Sequence, residues 1–150
     1  MANIALVVVA AGSGTRFGGP KQFALLAGKP LLERTLAAFD PIDAAARVVV
    51  LSPEIERDPR WKEIAAALRY EWRTVPGGAT RAESVRRGVE ATPADIDYVA
   101  VHDGARPFPP LDAVEECIQR LEQDDALAGS IIAAPVTDTL KSLDDSHNII

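Results

Sequence analysis

The sequence predicts an α/β protein built on a mostly parallel sheet with helices on both faces. Three observations predict it. Short apolar runs alternate with segments patterned at helical spacing, the first run is rich in β-branched residues, and the glycine and charged residues gather where the runs end. Strands buried on both faces read as continuous apolar runs, and strand–helix alternation is how parallel strands are joined. Ile4-Ala5-Leu6-Val7-Val8-Val9 is the first strand. A helix follows with Pro30 at its start, its apolar face formed by Leu32, Leu36 and Phe39. Residues 47–51 form the second strand; Trp61, Ile64, Ala65 and Leu68 repeat at helical spacing; residues 72–75 form the third strand. Thr80-Arg81-Ala82-Glu83 matches a capping box and opens a helix with Val85 and Val89 on one side. Residues 98–101 are a fourth strand. Leu111, Val114, Ile118 and Leu121 mark another helix with Cys117 on the same face, and Ile131-Ile132-Ala133-Ala134 is a fifth strand.

Length and composition bound the function. The 150 residues are read as a single domain, 1–150, long enough for one sizeable core. Apolar residues make up 47% and charged residues 25%, the balance of a soluble globular protein. No apolar stretch reaches membrane-spanning length and no signal-like segment opens the chain, so a cytoplasmic protein without membrane contact is expected. Cys117 is the sole cysteine, which leaves no internal disulfide and no thiolate metal cluster; a core position is its simplest role. The net charge of −6, with no basic stripe, argues against nucleic acid as a partner. Any anion must be held by a local cluster of cations.

Such a cluster follows the first strand. Ala10-Ala11-Gly12-Ser13-Gly14-Thr15-Arg16-Phe17 has small side chains and close glycines, which let backbone amides approach a ligand. Arg16 and Lys21 stand at its rim, with Pro20 fixing the chain before the lysine. The dinucleotide fingerprint fails, because Phe17 occupies its third glycine position and Glu54 comes late and beyond a proline. The Walker loop fails too, because Lys21 precedes Gln22 and Lys29 precedes Pro30. A tight strand-to-helix turn without a ligand remains the alternative for Gly12 and Gly14.

Ligands of such sheets sit beyond the carboxyl ends of the strands. The third strand ends at Pro76-Gly77-Gly78-Ala79 and feeds the capped helix that carries Ser84; the fourth ends at His102-Asp103-Gly104-Ala105-Arg106-Pro107. Glycine loops, a helix start, one carboxylate and several cations therefore converge on one edge, which suits a nucleoside triphosphate with a metal ion. Asp103 can hold magnesium together with phosphate oxygens and waters, or merely cap its turn. Arg16 and Lys21 can neutralise a phosphoryl group under attack, or be solvated surface cations. Ser84 can bond a base or ribose, or only cap its helix. His102 has no second histidine or cysteine nearby, so a structural role is favoured over ligation.

Taken together, the segments through Phe17, Pro20-Lys21-Gln22-Phe23, Gly77-Gly78-x-x-Arg81-x-x-Ser84-Val85, Val101-His102-Asp103-x-Ala105-Arg106-Pro107-Phe108 and Pro135-Val136-Thr137-Asp138-Thr139-Leu140-Lys141 resemble 2-C-methyl-D-erythritol 4-phosphate cytidylyltransferases, from Ile4 to the end of the chain. The Gly-x-Gly-Thr-Arg start is shared by sugar-phosphate nucleotidylyltransferases in general. The Pro-Lys-Gln continuation and the His-Asp-x-Ala-Arg-Pro loop narrow the resemblance to these cytidylyltransferases and their ribitol-phosphate relatives.

The resemblance implies a Rossmann-like sheet of the nucleotide-diphospho-sugar transferase type, and an enzyme that transfers CMP from CTP to methylerythritol phosphate with Mg2+ (or another divalent cation) in the non-mevalonate isoprenoid route. It implies Arg16 and Lys21 as catalytic residues and Asp103 as the metal ligand. Ala10, Ala11, Gly12, Gly14, Gly78 and Ser84 would bind the nucleotide, and Arg106 and Thr139 the polyol phosphate. A homodimer is implied, joined by a β-arm that starts at about 136 and runs to 150, with Thr139 serving the neighbouring subunit's site. The chain departs from the family pattern at Val9, where proline is common, and at Ala79, where an acidic or polar residue is common. It also ends where the family continues, so a fragment lacking a C-terminal part is expected. The readings held beside this one are a ribitol-5-phosphate cytidylyltransferase and a non-catalytic CTP-binding module.

Overall fold

The structure is a computed structural model that describes residues 2–14, 18–135, 137, 139, 141–146, 148 and 149. In chain order its elements are β1 (Ile4–Val9), a 3-10 turn (Lys21–Phe23), the hairpin β2 (Leu25–Leu26) and β3 (Lys29–Pro30), α1 (Leu31–Ala37), β4 (Ala46–Leu51), α2 (Pro53–Arg57), α3 (Pro59–Ala67), β5 (Arg73–Pro76), α4 (Arg81–Glu90), β6 (Tyr98–Asp103) and α5 (Leu111–Gln123). The main sheet is parallel with strand order β5-β4-β1-β6. From β1 the chain builds outward through β4 and β5, then returns to place β6 on the other side of β1. The order reverses there, and the crevice at such a reversal is where open α/β sheets bind ligands.

Both faces of β1 and of residues 48–51 in β4 are buried, which is why these segments are unbroken apolar runs. On one face Leu6, Val8, Val49 and Leu51 join Leu32, Leu36 and Phe39 from α1 and the turn after it, with Trp61 and Ile64 from α3. Fully burying each such side chain contributes about 1.5–3 kcal/mol. On the other face Val7, Val48 and Val50 lie beneath α4. That helix meets the sheet through Gly88: a Cβ there would stand 2.5 Å from Val7 Cγ1 and 2.9 Å from Val50 Cγ2.

Four expectations need correction. In α4 the buried residues are Ser84 and Gly88, whereas Val85 is half-buried and Val89 exposed; close backbone approach selects small residues for the packed side. The capping box is offset by one residue. Thr80 Oγ1 accepts from Glu83 N at 3.1 Å, but the Glu83 carboxylate accepts from Ala79 N, at 2.8 Å, in place of Thr80 N. In α5 Cys117 is half-buried and none of the residues is buried, so the helix rides at the edge of the core. Residues 131–134, expected as a fifth strand, have no regular secondary structure and are exposed, Ile131 by 87%. Strand propensity reflects packing on a pleated surface, and here the β-branched pair has no such surface.

The segment from Pro53 also holds two short helices. Ser52 caps α2, and Asp58 caps α3 by accepting from Arg60 N at 2.9 Å. In the expected arm, Val136, Asp138, Leu140, His147 and Ile150 lie outside the described residues. Leu143 and Ile149 form an antiparallel bridge, and the Asp144 carboxylate accepts from the backbone of Ser146 and Asn148 at 2.9 and 2.8 Å.

Candidate active site

The carboxyl ends of β1, β5 and β6 surround a cleft of about 860 Å³. Its first wall is the segment after β1. Ala10 continues the ladder by donating its N–H to Val50 O at 2.8 Å, and beyond it the chain leaves the sheet. The side chain of Gln22 holds that exit. It is buried on the 3-10 turn, and its Nε2 donates to Ala10 O at 2.5 Å and Gly12 O at 2.8 Å. Lys21, one residue earlier, is half-buried and lines the cleft with Gly12 and Gly14. Arg16 lies outside the described residues.

The second wall is the turn after β5. Gly77 N donates to Leu51 O at 2.8 Å, and a Cβ on Gly77 would collide with that of Ala11, so glycine lets the two walls meet. Ser84 is buried, with Oγ accepting from Gly78 N at 3.0 Å and donating to Thr80 O at 3.0 Å. Its hydroxyl thus shapes the turn and keeps one lone pair for a ligand. The Gly78 and Ala79 N–H groups are both spent on side chains, those of Ser84 and Glu83. Arg87 adds a bond to Gly77 O at 2.8 Å and pairs with Glu83 at 2.5 Å. The Ala79 N–H first, and Arg87 second, hold the Glu83 carboxyl below the ordinary glutamate range.

The third wall is the end of β6, which extends through His102 and Asp103. Gly104 N donates to Val9 O at 2.8 Å, tying this wall to the first. Gly104 O in turn accepts from Thr35 Oγ1 at 2.9 Å, a fully buried hydroxyl on α1. His102 packs edge-on against Phe39 with ring centres 5.0 Å apart. Its Nε2 is 2.8 Å from Arg106 O, and since a carbonyl only accepts, Nε2 carries the proton. This geometry makes His102 a brace for the Asp103–Arg106 turn.

Asp103 is held on both oxygens. Arg81 Nε and Nη2 donate to Oδ1 at 3.0 and 2.8 Å, and Arg106 Nε lies 3.1 Å from Oδ2. Among the described residues that line the cleft, Lys21, Arg81 and Arg106 are cationic and Asp103 alone is acidic. A cationic cleft in a protein of net charge −6 suits a polyanion. No group of three or more His, Cys, Asp or Glu residues is arranged for a metal among the described residues. A lone carboxylate fits a magnesium ion that brings its other ligands with it as phosphate oxygens and waters. Thr139 is exposed and does not line this cleft.

The sequence-predicted residues Ala10, Ala11, Gly12, Gly14, Lys21, Gly78, Ser84, Asp103 and Arg106 therefore share one cavity. Three contributors lie outside the sequence-predicted set. Gln22 spoils a Walker loop and belongs to the Pro-Lys-Gln motif, but neither pattern reveals that its amide braces the exit of β1. Thr35 sits between Leu32 and Leu36 on an apolar face, and that polar residue on a buried stripe was a usable signal. Arg81 belongs to the capping-box segment and to the Gly77-Gly78-x-x-Arg81 motif, and its pairing with Asp103 across 22 residues leaves no local trace.

A sequence model of 2-C-methyl-D-erythritol 4-phosphate cytidylyltransferases matches residues 4–150. The chain belongs to this family. The enzyme of that name from Carboxydothermus hydrogenoformans is 38% identical over 97% of the chain, and that from Dechloromonas aromatica 41% identical over 95%. The crystal structure of 4-diphosphocytidyl-2C-methyl-D-erythritol synthase from Anaerococcus prevotii superposes with a TM-score of 0.79 at 26% identity, covering 99% of the chain. The chain spans 63%, 64% and 63% of the lengths of these three relatives. Within the described residues no helix is long and apolar enough to cross a membrane.

Proposed function

We propose that the protein is a cytidylyltransferase that transfers CMP from CTP to 2-C-methyl-D-erythritol 4-phosphate, releasing pyrophosphate. The observation that carries this reading is the convergence of Lys21, Asp103 and two glycine-bearing turns on one cationic cleft, in a chain of this family. A phosphate oxygen of the acceptor forms a bond to the α-phosphorus of CTP, and the bond from that phosphorus to the bridging oxygen of pyrophosphate breaks. The attacking phosphate is an anion at neutral pH, so the site needs no general base. Lys21, with Arg16, neutralises charge gathering on the α-phosphoryl oxygens, where preorganised cations act most strongly. Asp103 would hold magnesium, which would supply charge neutralisation for the departing pyrophosphate. Ala10, Ala11, Gly12 and Gly14 cradle the nucleotide, Gly78 and Ser84 select its base, and Arg106 and Thr139 engage the acceptor. On the same reading the protein is a cytoplasmic homodimer, each Thr139 serving the partner's site. The resemblance of its motifs to the family supports this.

The test is pyrophosphate release from CTP and magnesium with methylerythritol phosphate, and separately with ribitol 5-phosphate. Release with the first acceptor alone is expected. Release with ribitol 5-phosphate alone would reassign the acceptor, and CTP binding without release with either would reduce the chain to a binding module.

A further inference from the structure

On the cytidylyltransferase reading Asp103 holds a metal, yet each of its oxygens already faces an arginine, one from α4 and one from the loop after β6. Arg81 stands at the first turn of α4 and reaches across the cleft to β6, placing two nitrogens on Oδ1. Arg106 is three residues along the same turn, and its backbone N–H is itself bonded to Asp103 O at 3.1 Å. Magnesium binds an oxygen at about 2.0–2.1 Å, and a guanidinium on that oxygen both occupies its lone pairs and repels the incoming cation. A metal that takes Oδ1 has to displace the arginine bonded there. Both side chains are exposed enough to swing, Arg81 by 64% and Arg106 by 75%, but Arg106 meets Oδ2 from the carboxylate's own turn through one nitrogen, whereas Arg81 comes from the other side of the cleft and fills Oδ1 with two.

We propose that Arg81 is a positioning residue that changes partner. It holds the Asp103 carboxylate while the cleft is without nucleotide, and passes to a triphosphate oxygen when magnesium and CTP enter together. This rests on reading the cleft as a CTP site. A metal bound to Oδ1 brings phosphate oxygens beside the guanidinium it displaces, and a planar fork of donors suits phosphate as well as carboxylate. Metal alone therefore binds weakly, and metal with nucleotide binds well.

The experiment measures Mn2+ binding by paramagnetic resonance, with and without CTP, in the wild-type chain, Arg81→Ala and Arg81→Lys. An exposed ion pair contributes modestly, so without CTP the alanine variant should bind Mn2+ about threefold to fivefold more tightly. With CTP it should bind about tenfold more weakly, a charge-assisted phosphate contact having been lost. Arg81→Lys keeps the charge without the fork and should fall between. Opposite signs in the two states are the signature of the exchange. Tighter binding in both states means that Arg81 never leaves Asp103, and weaker binding with CTP alone means that it never restrains the carboxylate; either result overturns the proposal. Either also leaves the CTP reading standing, whereas a wild-type chain that binds no Mn2+ with CTP sinks both.

Discussion

Gln22 and Lys21 are neighbours in sequence with separate duties. The Gln22 amide satisfies two carbonyls at the exit of β1 from within the core, so its loss leaves buried acceptors without a donor. Gln22→Leu should therefore lower stability by roughly 1–3 kcal/mol, read as a shift in the urea midpoint with unchanged slope. Lys21 acts later, as the phosphorus centre becomes crowded with charge. Lys21→Ala should reduce turnover by about a hundredfold or more while CTP affinity changes little, since the contact strengthens chiefly in the transition state. A variant with near-normal turnover would remove Lys21 from the mechanism.

Among the elements, α4 shows where packing overrules propensity. Replacing Gly with Ala inside a helix ordinarily gains about 1 kcal/mol. At Gly88 the added methyl would press on Val7 and Val50, which have no room to retreat, and overpacking costs about 1–3 kcal/mol. Gly88→Ala should thus be net destabilising, and a higher melting temperature would contradict the packing described. The start of α3 responds to acid. The Arg60 side chain first, and its backbone N–H second, hold the Asp58 carboxyl down to about 2, below its ordinary 3.8. A depressed carboxylate contributes stability above its unfolded value and loses it as pH falls through the folded one. The stability difference between the wild type and Asp58→Ala should therefore shrink between about pH 4 and pH 2, as followed by denaturation at each pH. These cases mark what sequence could reveal. The strands β1 and β4 were legible because both faces are buried along β1 and along residues 48–51, where the apolar runs are unbroken. The site was legible because Gly77, Gly78 and Asp103 stand directly at strand ends. The packed side of α4 was hidden because small residues face the sheet while Val85 and Val89 do not. Residues 131–134 misled because Ile131 and Ile132 carry strand propensity without a surface to pack on.

Across the whole molecule, charge is segregated. The net charge is −6, yet the described lining of the cleft carries Lys21, Arg81 and Arg106 against Asp103 alone. The second cavity, of about 340 Å³ beside Ile4 and Ile118, is lined by Asp43, Glu115 and Glu122 and offers a phosphate no cation. CTP affinity should consequently fall by on the order of tenfold between about 0.05 and 0.5 M salt as screening shortens, while the melting temperature moves little. An affinity indifferent to salt would mean that the nucleotide is held by something other than these cations. The strand order also governs how the chain comes into being on the ribosome. β1 is made first and finishes between β4 and β6, yet its first partner residue is Ala46 and its second strand begins to pair only at Tyr98. At about 5–20 residues per second, the most apolar segment of the protein waits roughly five to twenty seconds before its second neighbour is synthesised. Nascent β1 is therefore the stretch that a ribosome-bound chaperone has most reason to hold.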